Sequence, residues 1–164
     1  MALLSRAAPF PSPVLRHQLT SQRPGLFVGS REPVFGIVAG GSYAEQVVTH
    51  QRLAVPVPEG MSDTDAAAIP EAFISAHDAL VSQGGMKAGD LVLIHAVAGG
   101  VGSAALQLVH RWGARAIGTA GSAEKLERVA ELAPLTTINY KEEDFQERIQ
   151  ELFGPNAVDL ILDT

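Results

Sequence analysis

The sequence contains no cysteine, and this absence removes three kinds of chemistry at once. Without thiols the chain cannot form disulfides, bind zinc through thiolates or use a cysteine nucleophile. The absence of disulfides fits a reducing compartment, and we expect a cytoplasmic location. No two histidines form an H-x-x-x-H pair, so we expect satisfied or solvated histidines and no metal site. The five histidines are His17, His50, His77, His95 and His110.

Long apolar runs and an excess of positive charge are also missing. No apolar segment approaches the roughly 20 residues that a transmembrane helix needs, so no membrane span is predicted. The net charge of −6 gives no support for a nucleic-acid partner. The 164 residues are 46% hydrophobic and 18% charged, with 16 glycines, which is typical of an α/β globular core.

Acidic residues are absent from residues 1–31, which instead contain arginines, serines and prolines, whereas all 18 acids follow from Glu32 onward. An acid-free segment with arginine and serine can be a mitochondrial transit peptide. Its prolines, however, interrupt any long amphipathic helix. We therefore expect residues 1–33 to be a disordered leader. A mitochondrial import signal and a sequence unrelated to the fold both remain open.

Short extended segments are predicted between residues 34 and 58. Residues 34–48 look like two short strands joined at Gly40 and Gly41. Residues 53–58 form a third extended piece, and their prolines place it at a sheet edge or in a connector.

Two helices are predicted next. Ser62 opens the first as part of a capping-box variant with Asp65. Pro70 then starts a second helix, roughly Glu71 to Ser82, which ends at the glycine pair 84–85.

From Asp90 onward, strands and helices alternate. Each predicted helix has apolar residues at helical spacing; the last begins at Glu142 and is expected to bury Phe145, Ile149 and Leu152. Alternation with short connections predicts a parallel, doubly wound sheet. The predicted strands are residues 91–96, 114–119, 136–139 and 158–162.

A glycine-rich turn follows the first of these strands and leads into a helix. Such a turn presents backbone N–H groups and the positive end of a helix dipole to a phosphate. Glycine lets the backbone approach a pyrophosphate closely and lets the helix pack on the strand. The strict G-x-G-x-x-G pattern would need glycine at Val97, so a purely structural turn stays open. Gly99 and Gly100 are the candidates for the approach to the pyrophosphate, and Gly102 is the candidate for helix packing.

The end of the second strand lacks the acid that NAD-binding sites usually place about 20 residues after the turn. Here the first carboxylate is that of Glu124. A small uncharged pocket followed by a cation suits a 2′-phosphate, so NADPH is favoured over NADH. An ordinary N-cap serine, a solvated lysine and a surface tyrosine remain the alternative interpretations. The candidate 2′-phosphate residues are Gly121, Ser122, Lys125 and Tyr140.

Residues 34–164 resemble the zinc-free quinone oxidoreductases, of zeta-crystallin-like type, in the medium-chain dehydrogenase/reductase family. Five segments carry the resemblance and occur in order along the chain. They are Gly-Gly-Ser-Tyr-Ala-Glu at 40–45, Ala-Ala-Ala-Ile-Pro-Glu-Ala at 66–72, Lys-Ala-Gly-Asp at 87–90, Ile-His-Ala-Val-Ala-Gly-Gly-Val-Gly at 94–102 and Asn-Tyr-Lys-Glu-Glu-Asp-Phe at 139–145.

The resemblance implies an α/β fold: a partial Rossmann sheet, doubly wound and parallel, preceded by a remnant of a GroES-like β-barrel. The barrel remnant would be residues 34–60, connecting helices 61–89, and the N-terminal half of the NADPH-binding domain 90–164. The implied activity is zinc-independent hydride transfer from NADPH to a quinone or another α,β-unsaturated carbonyl. The resemblance also implies backbone contacts to the pyrophosphate from Ala98, Gly99, Gly100 and Val101. Ser75 stands where relatives often have a threonine near the nicotinamide. No catalytic residue is identified.

The departures from the family pattern matter equally. Most of the barrel and the second half of the sheet have no counterpart in this sequence. Those parts would support the nicotinamide and the dimer edge that the family uses to form homo-oligomers. We therefore expect the chain alone to be impaired or inactive. A non-catalytic NADPH-binding or interaction module is the alternative function.

Overall fold

The computed structural model describes residues 2–5, 15–23, 26–42 and 46–164. The chain divides into two compact units, Met1–Glu71 and Ala72–Thr164, which are described separately. None of the helices in these described ranges is both long and apolar enough to cross a membrane.

The first unit contains a five-stranded sheet in the order β2-β3-β1-β4, with β5 paired to β3. The β1–β3 pair is parallel, and the other pairs are antiparallel. The strands are β1 (Ala2–Ser5), β2 (Leu15–Arg23), β3 (Leu26–Phe35), β4 (Gln46–Thr49) and β5 (Val55–Pro56).

Strands in residues 2–35 differ from the disordered leader that we expected. Pro33 lies within β3 and does not end the strand, which continues to Phe35. Pairing between β2 and β3 supplies hydrogen-bond partners that the local sequence alone does not reveal. The assignment of residues 34–60 to a barrel remnant stays a prediction.

The segment after β3 agrees in part with the sequence. Gly40 and Gly41 lie between β3 and β4, and Gly41 has a φ of +74°, which favours glycine. The predicted strands of residues 34–48 are displaced, because β3 ends at Phe35 and β4 begins at Gln46. The prediction of an edge strand is confirmed by β5, which pairs Val55 with Phe35.

One helix, α1 (Asp63–His77), replaces the two that we expected, and it continues as a π-helical segment over Asp78–Gln83. The reciprocal cap at its start is as predicted. The Asp65 N–H donates to Ser62 Oγ at 3.1 Å, and the Ser62 hydroxyl donates to Asp65 Oδ2 at 2.6 Å. The prediction that Pro70 starts a new helix was wrong, because Pro70 lies inside α1; its fixed φ is helical, although its ring removes one backbone hydrogen bond and crowds the carbonyl four residues earlier.

The second unit alternates strands and helices and forms a four-stranded parallel sheet in the order β8-β7-β6-β9. The predicted α/β class and the Rossmann-like parallel sheet are confirmed. The elements are β6 (Leu91–Ile94), α2 (Gly100–Arg111), β7 (Arg115–Ala120), α3 (Ala123–Ala130), β8 (Thr136–Asn139), α4 (Phe145–Phe153) and β9 (Leu160–Leu162).

Helices cover both faces of this sheet. Val92 and Ile94 of β6 pack in one cluster with residues of α2 and α3, including Leu106 and Val129. The neighbouring residues Leu91 and Leu93 pack on the opposite face with Ile149 of α4. Because residues alternate between the faces of a strand, one continuous apolar run serves two layers of helix.

The start of α4 corrects the sequence analysis. The helix begins at Phe145 and not at Glu142, because Asp144 is its N-cap and accepts N–H groups of the first turn at 2.8 and 3.0 Å. Ile149 is buried as expected, whereas Leu152 is 44% exposed and Phe145 37%. Residues 141–143 therefore belong to the turn that precedes the helix.

Replacing Gly102 with alanine is expected to lower the free energy of unfolding of residues 72–164 by about 1–3 kcal/mol. An added methyl group would lie 2.5 Å from the Ala96 carbonyl oxygen and 2.7 Å from Val97 Cα, both backbone atoms. Gly100→Ala is the matched control, since a methyl group there meets nothing within 4 Å. Urea unfolding followed by the fluorescence of Trp112, the single tryptophan, measures both variants. Equal stability of the two would contradict the prediction.

Candidate functional site

The carboxyl end of β6 leads directly into the glycine-rich turn. Ala96 takes the left-handed conformation with φ of +48°, which turns the chain away from the strand. Its carbonyl oxygen accepts the Gly99 N–H at 2.8 Å. The Val97 N–H donates to the Thr119 carbonyl at 3.1 Å, so the turn is attached to the neighbouring strand β7. The turn is thus defined by backbone bonds on both sides.

Backbone N–H groups at the start of α2 are available for a ligand. The first intrahelical bond described here runs from the Ser103 N–H to the Gly99 carbonyl at 2.9 Å, so the N–H groups of Gly100 and Val101 precede it. Ala98, Gly99 and Gly100 are exposed, and Gly100 has open space on its Cα. Gly102 is buried against the turn. This arrangement fits an anion placed at the helix N-terminus.

The carboxyl end of β7 forms a second part of the site. Ser122 is the N-cap of α3, but its side chain makes no capping hydrogen bond, which leaves the hydroxyl available. A methyl group added at Gly121 would lie 2.7 Å from Tyr140 Oη, so the phenol stands directly against this glycine. Three of the predicted residues, Gly121, Ser122 and Tyr140, are therefore brought together by the ends of β7 and β8.

Lys125 is exposed on α3. It lines a cavity of about 470 Å³ together with Ala98 of the glycine-rich turn, Ser103, Arg128 and Glu131. Tyr140 lines a different cavity of about 550 Å³. Lys125 and Tyr140 therefore lie in separate cavities, Lys125 beside Ala98 and Tyr140 beside His95 and Ala96.

Ser75 is the predicted residue that the described contacts do not connect to the others. It is half-buried on α1 and lines neither cavity. Across residues 2–5, 15–23, 26–42 and 46–164, no group of three or more histidine and carboxylate side chains could hold a metal ion.

The sequence analysis missed a buried contact between His95 and Thr119. His95 Nδ1 lies 2.9 Å from Thr119 Oγ1, and Thr119 is only 1% exposed. The imidazole also meets the Phe145 ring edge-on, with ring centroids 5.1 Å apart. The expectation of a satisfied histidine is confirmed at His95. Its position directly after a buried strand was the only signal in the sequence, and that position does not identify the partner.

Comparison with known proteins supports the fold. Residues 100–164 match the family described as zinc-binding dehydrogenase. The chain is 42% identical over 125 residues to an erythronolide synthase of Saccharopolyspora erythraea. The matched segment is 76% of this chain and 4% of that protein.

Two solved structures share the fold. The CurK enoyl reductase superposes with a TM-score of 0.77 and 31% identity, over 84% of this chain and 43% of that one. A quinone oxidoreductase of Escherichia coli in complex with NADPH superposes with a TM-score of 0.74 and 30% identity, over 84% of this chain and 45% of that one. The chain thus spans less than half the length of each relative.

Thr119→Val is expected to lower the free energy of unfolding of residues 72–164 by about 1 kcal/mol, because it leaves the half-buried His95 ring nitrogen without its partner while keeping the side-chain shape. Thr137→Val on the exposed face of β8 is the control and is expected to be neutral. Urea unfolding followed by Trp112 fluorescence measures both. A Thr119→Val protein as stable as the control would show that this contact contributes nothing.

Proposed function

We propose that this chain binds NADPH as part of a reductase, because residues 72–164 have the Rossmann-like fold of the medium-chain dehydrogenase/reductase family. The reductase transfers a hydride to a quinone or to another α,β-unsaturated carbonyl compound. No cysteine is present, and the reaction is proposed to be independent of zinc.

The pyrophosphate would be held by backbone groups of the glycine-rich turn. Exposed peptide groups, open space at Gly100 and the free N–H groups of the first helical turn support this assignment. Gly102 contributes indirectly, because its lack of a side chain allows α2 to begin against the end of β6. The residues proposed for this role are Ala98, Gly99, Gly100, Val101 and Gly102.

The observation that carries the preference for NADPH is the Ser122 side chain, which makes no capping hydrogen bond and lies next to Gly121 and Tyr140. Its hydroxyl and the phenol can both donate to a phosphate, and Lys125 supplies a positive charge on the same helix. No carboxylate lies between Thr119 and Ser122, where an NAD site would bind the ribose hydroxyl. Ser75 is also proposed to lie near the nicotinamide, and this proposal rests only on its position in the family motif.

NADPH supplies the hydride when it is bound, whereas the residues of this chain bind and orient it. Hydride transfer also requires the acceptor to be held in close register with the donor. No described residue is assigned to that task. We therefore propose that this chain alone reduces quinones slowly or not at all.

The likeness to polyketide-pathway enzymes favours a second candidate acceptor. A protein named as an erythronolide synthase and one named as an enoyl reductase are both similar to this chain. An enoyl thioester is, like a quinone, a carbonyl conjugated to a carbon–carbon double bond, so the same cofactor site serves either acceptor. A non-catalytic NADPH-binding or interaction module remains the alternative from a different class.

Calorimetric titration is expected to show that NADPH binds about tenfold or more tightly than NADH, because a charge-assisted bond to the 2′-phosphate is lost with NADH. Lys125→Ala is expected to weaken NADPH binding. Arg115→Ala is the control, because Arg115 is an exposed cation at the opposite, amino end of β7. Equal affinities for both cofactors, in protein shown to be folded, would contradict the NADPH assignment.

Oxidation of NADPH, followed by its absorbance with a benzoquinone or with an enoyl thioester, separates the candidate functions. Turnover with one acceptor identifies the substrate class. NADPH binding without turnover on either acceptor supports the binding module or a site that needs further chain. Turnover comparable to that of a complete quinone oxidoreductase would overturn the expectation of impaired activity.

A further inference from the structure

Lys141 lies beside Gly121, and the sequence analysis did not assign this lysine to the site. A methyl group added at Gly121 would lie 3.1 Å from Cε of Lys141, next to the two Tyr140 atoms that it would also meet. Cε is one bond from the ammonium group. The positive charge of Lys141 therefore lies near the start of α3, where the side chain of the N-cap residue Ser122 makes no capping hydrogen bond.

The turn that carries Lys141 is anchored by one buried side chain. Asn139 is 8% exposed, and its Oδ1 accepts the Lys141 N–H at 3.2 Å. Its Nδ2 donates to Glu142 Oε1 at 2.7 Å, and its carbonyl accepts the Glu142 and Glu143 N–H groups at 3.0 and 3.1 Å. The backbone of Tyr140 and Lys141 is thus held at the end of β8, and the lysine side chain starts from a defined position.

The acidic residues that follow Lys141 in the chain are all engaged with other groups. Glu142 accepts from Asn139, Glu143 pairs with Arg148 at 3.4 Å, and Asp144 caps α4. Lys141 itself makes no ion pair with any side chain whose position is described. The local sequence therefore contains three negative charges, yet the structure leaves the Lys141 ammonium available to an external anion.

We propose that Lys141 is a specificity-determining residue that binds the 2′-phosphate of NADPH as a second cation, in addition to Lys125. This inference rests on the proposed function. Two lysines differ in their surroundings: Lys125 lines the cavity next to the glycine-rich turn, whereas Lys141 lies at Gly121 beside the tyrosine hydroxyl. In this proposal a doubly charged phosphate is neutralised from two elements of the fold, α3 and the turn after β8.

The test compares the dissociation constants of NADPH and NADH, measured by calorimetry, for the full chain and its variants. Lys141→Gln is expected to lower the preference for NADPH about tenfold, because it removes a charge-assisted contact that only the 2′-phosphate uses. Its affinity for NADH is expected to stay unchanged. Lys141→Arg is expected to keep most of the preference, since it keeps the charge.

Lys87→Gln is the matched control, because Lys87 is the remaining lysine of the chain, is exposed and lies before β6. It changes the net charge equally and is expected to leave both affinities unaltered. If the unaltered chain prefers NADPH and Lys141→Gln keeps that preference, Lys141 is not a determinant and the inference is overturned while the proposed function stands. If the unaltered chain shows no preference for NADPH, the proposed function fails, and the inference fails with it.

Discussion

The close approach of helix α2 to the end of strand β6 is the constraint on which the site depends. At Gly102 even one methyl group would collide with backbone atoms of Ala96 and Val97. The turn allows this close approach because Ala96 adopts a left-handed conformation and its carbonyl accepts the Gly99 N–H. The result places the unpaired N–H groups of the first helical turn at the carboxyl edge of a parallel sheet, where such folds bind their ligands.

The net charge of the chain does not show how charges are distributed around the carboxyl edge of the sheet. The chain carries −6 overall, and three acids follow Lys141 directly in the sequence. Hydrogen bonds and an ion pair within the turn and α4 occupy those three carboxylates. The two lysines near the carboxyl edge have no such partners among the described side chains. Unlike these carboxylates, the two ammonium groups are therefore available to an external anion.

Much of the second unit could be predicted from the sequence, because each element there has a strong local signal. Strand β8 covers the residues predicted for it, 136–139. Two local predictions were wrong. Pro70 lies inside a helix although proline often starts one, and α4 begins three residues later than predicted because the Asp144 side chain caps it.

By itself, the sequence determined the alternation of strands and helices, the glycine-rich turn and the absence of a carboxylate at the end of β7. Those features depend on residue types at fixed local spacing, which the order of amino acids shows directly. Only the tertiary structure decided that His95 meets Thr119, that Tyr140 stands against Gly121 and that Lys141 has no ion-pair partner among the described side chains. The first two contacts join residues at the ends of different strands, so they depend on the register of β6, β7 and β8, which the local sequence does not show.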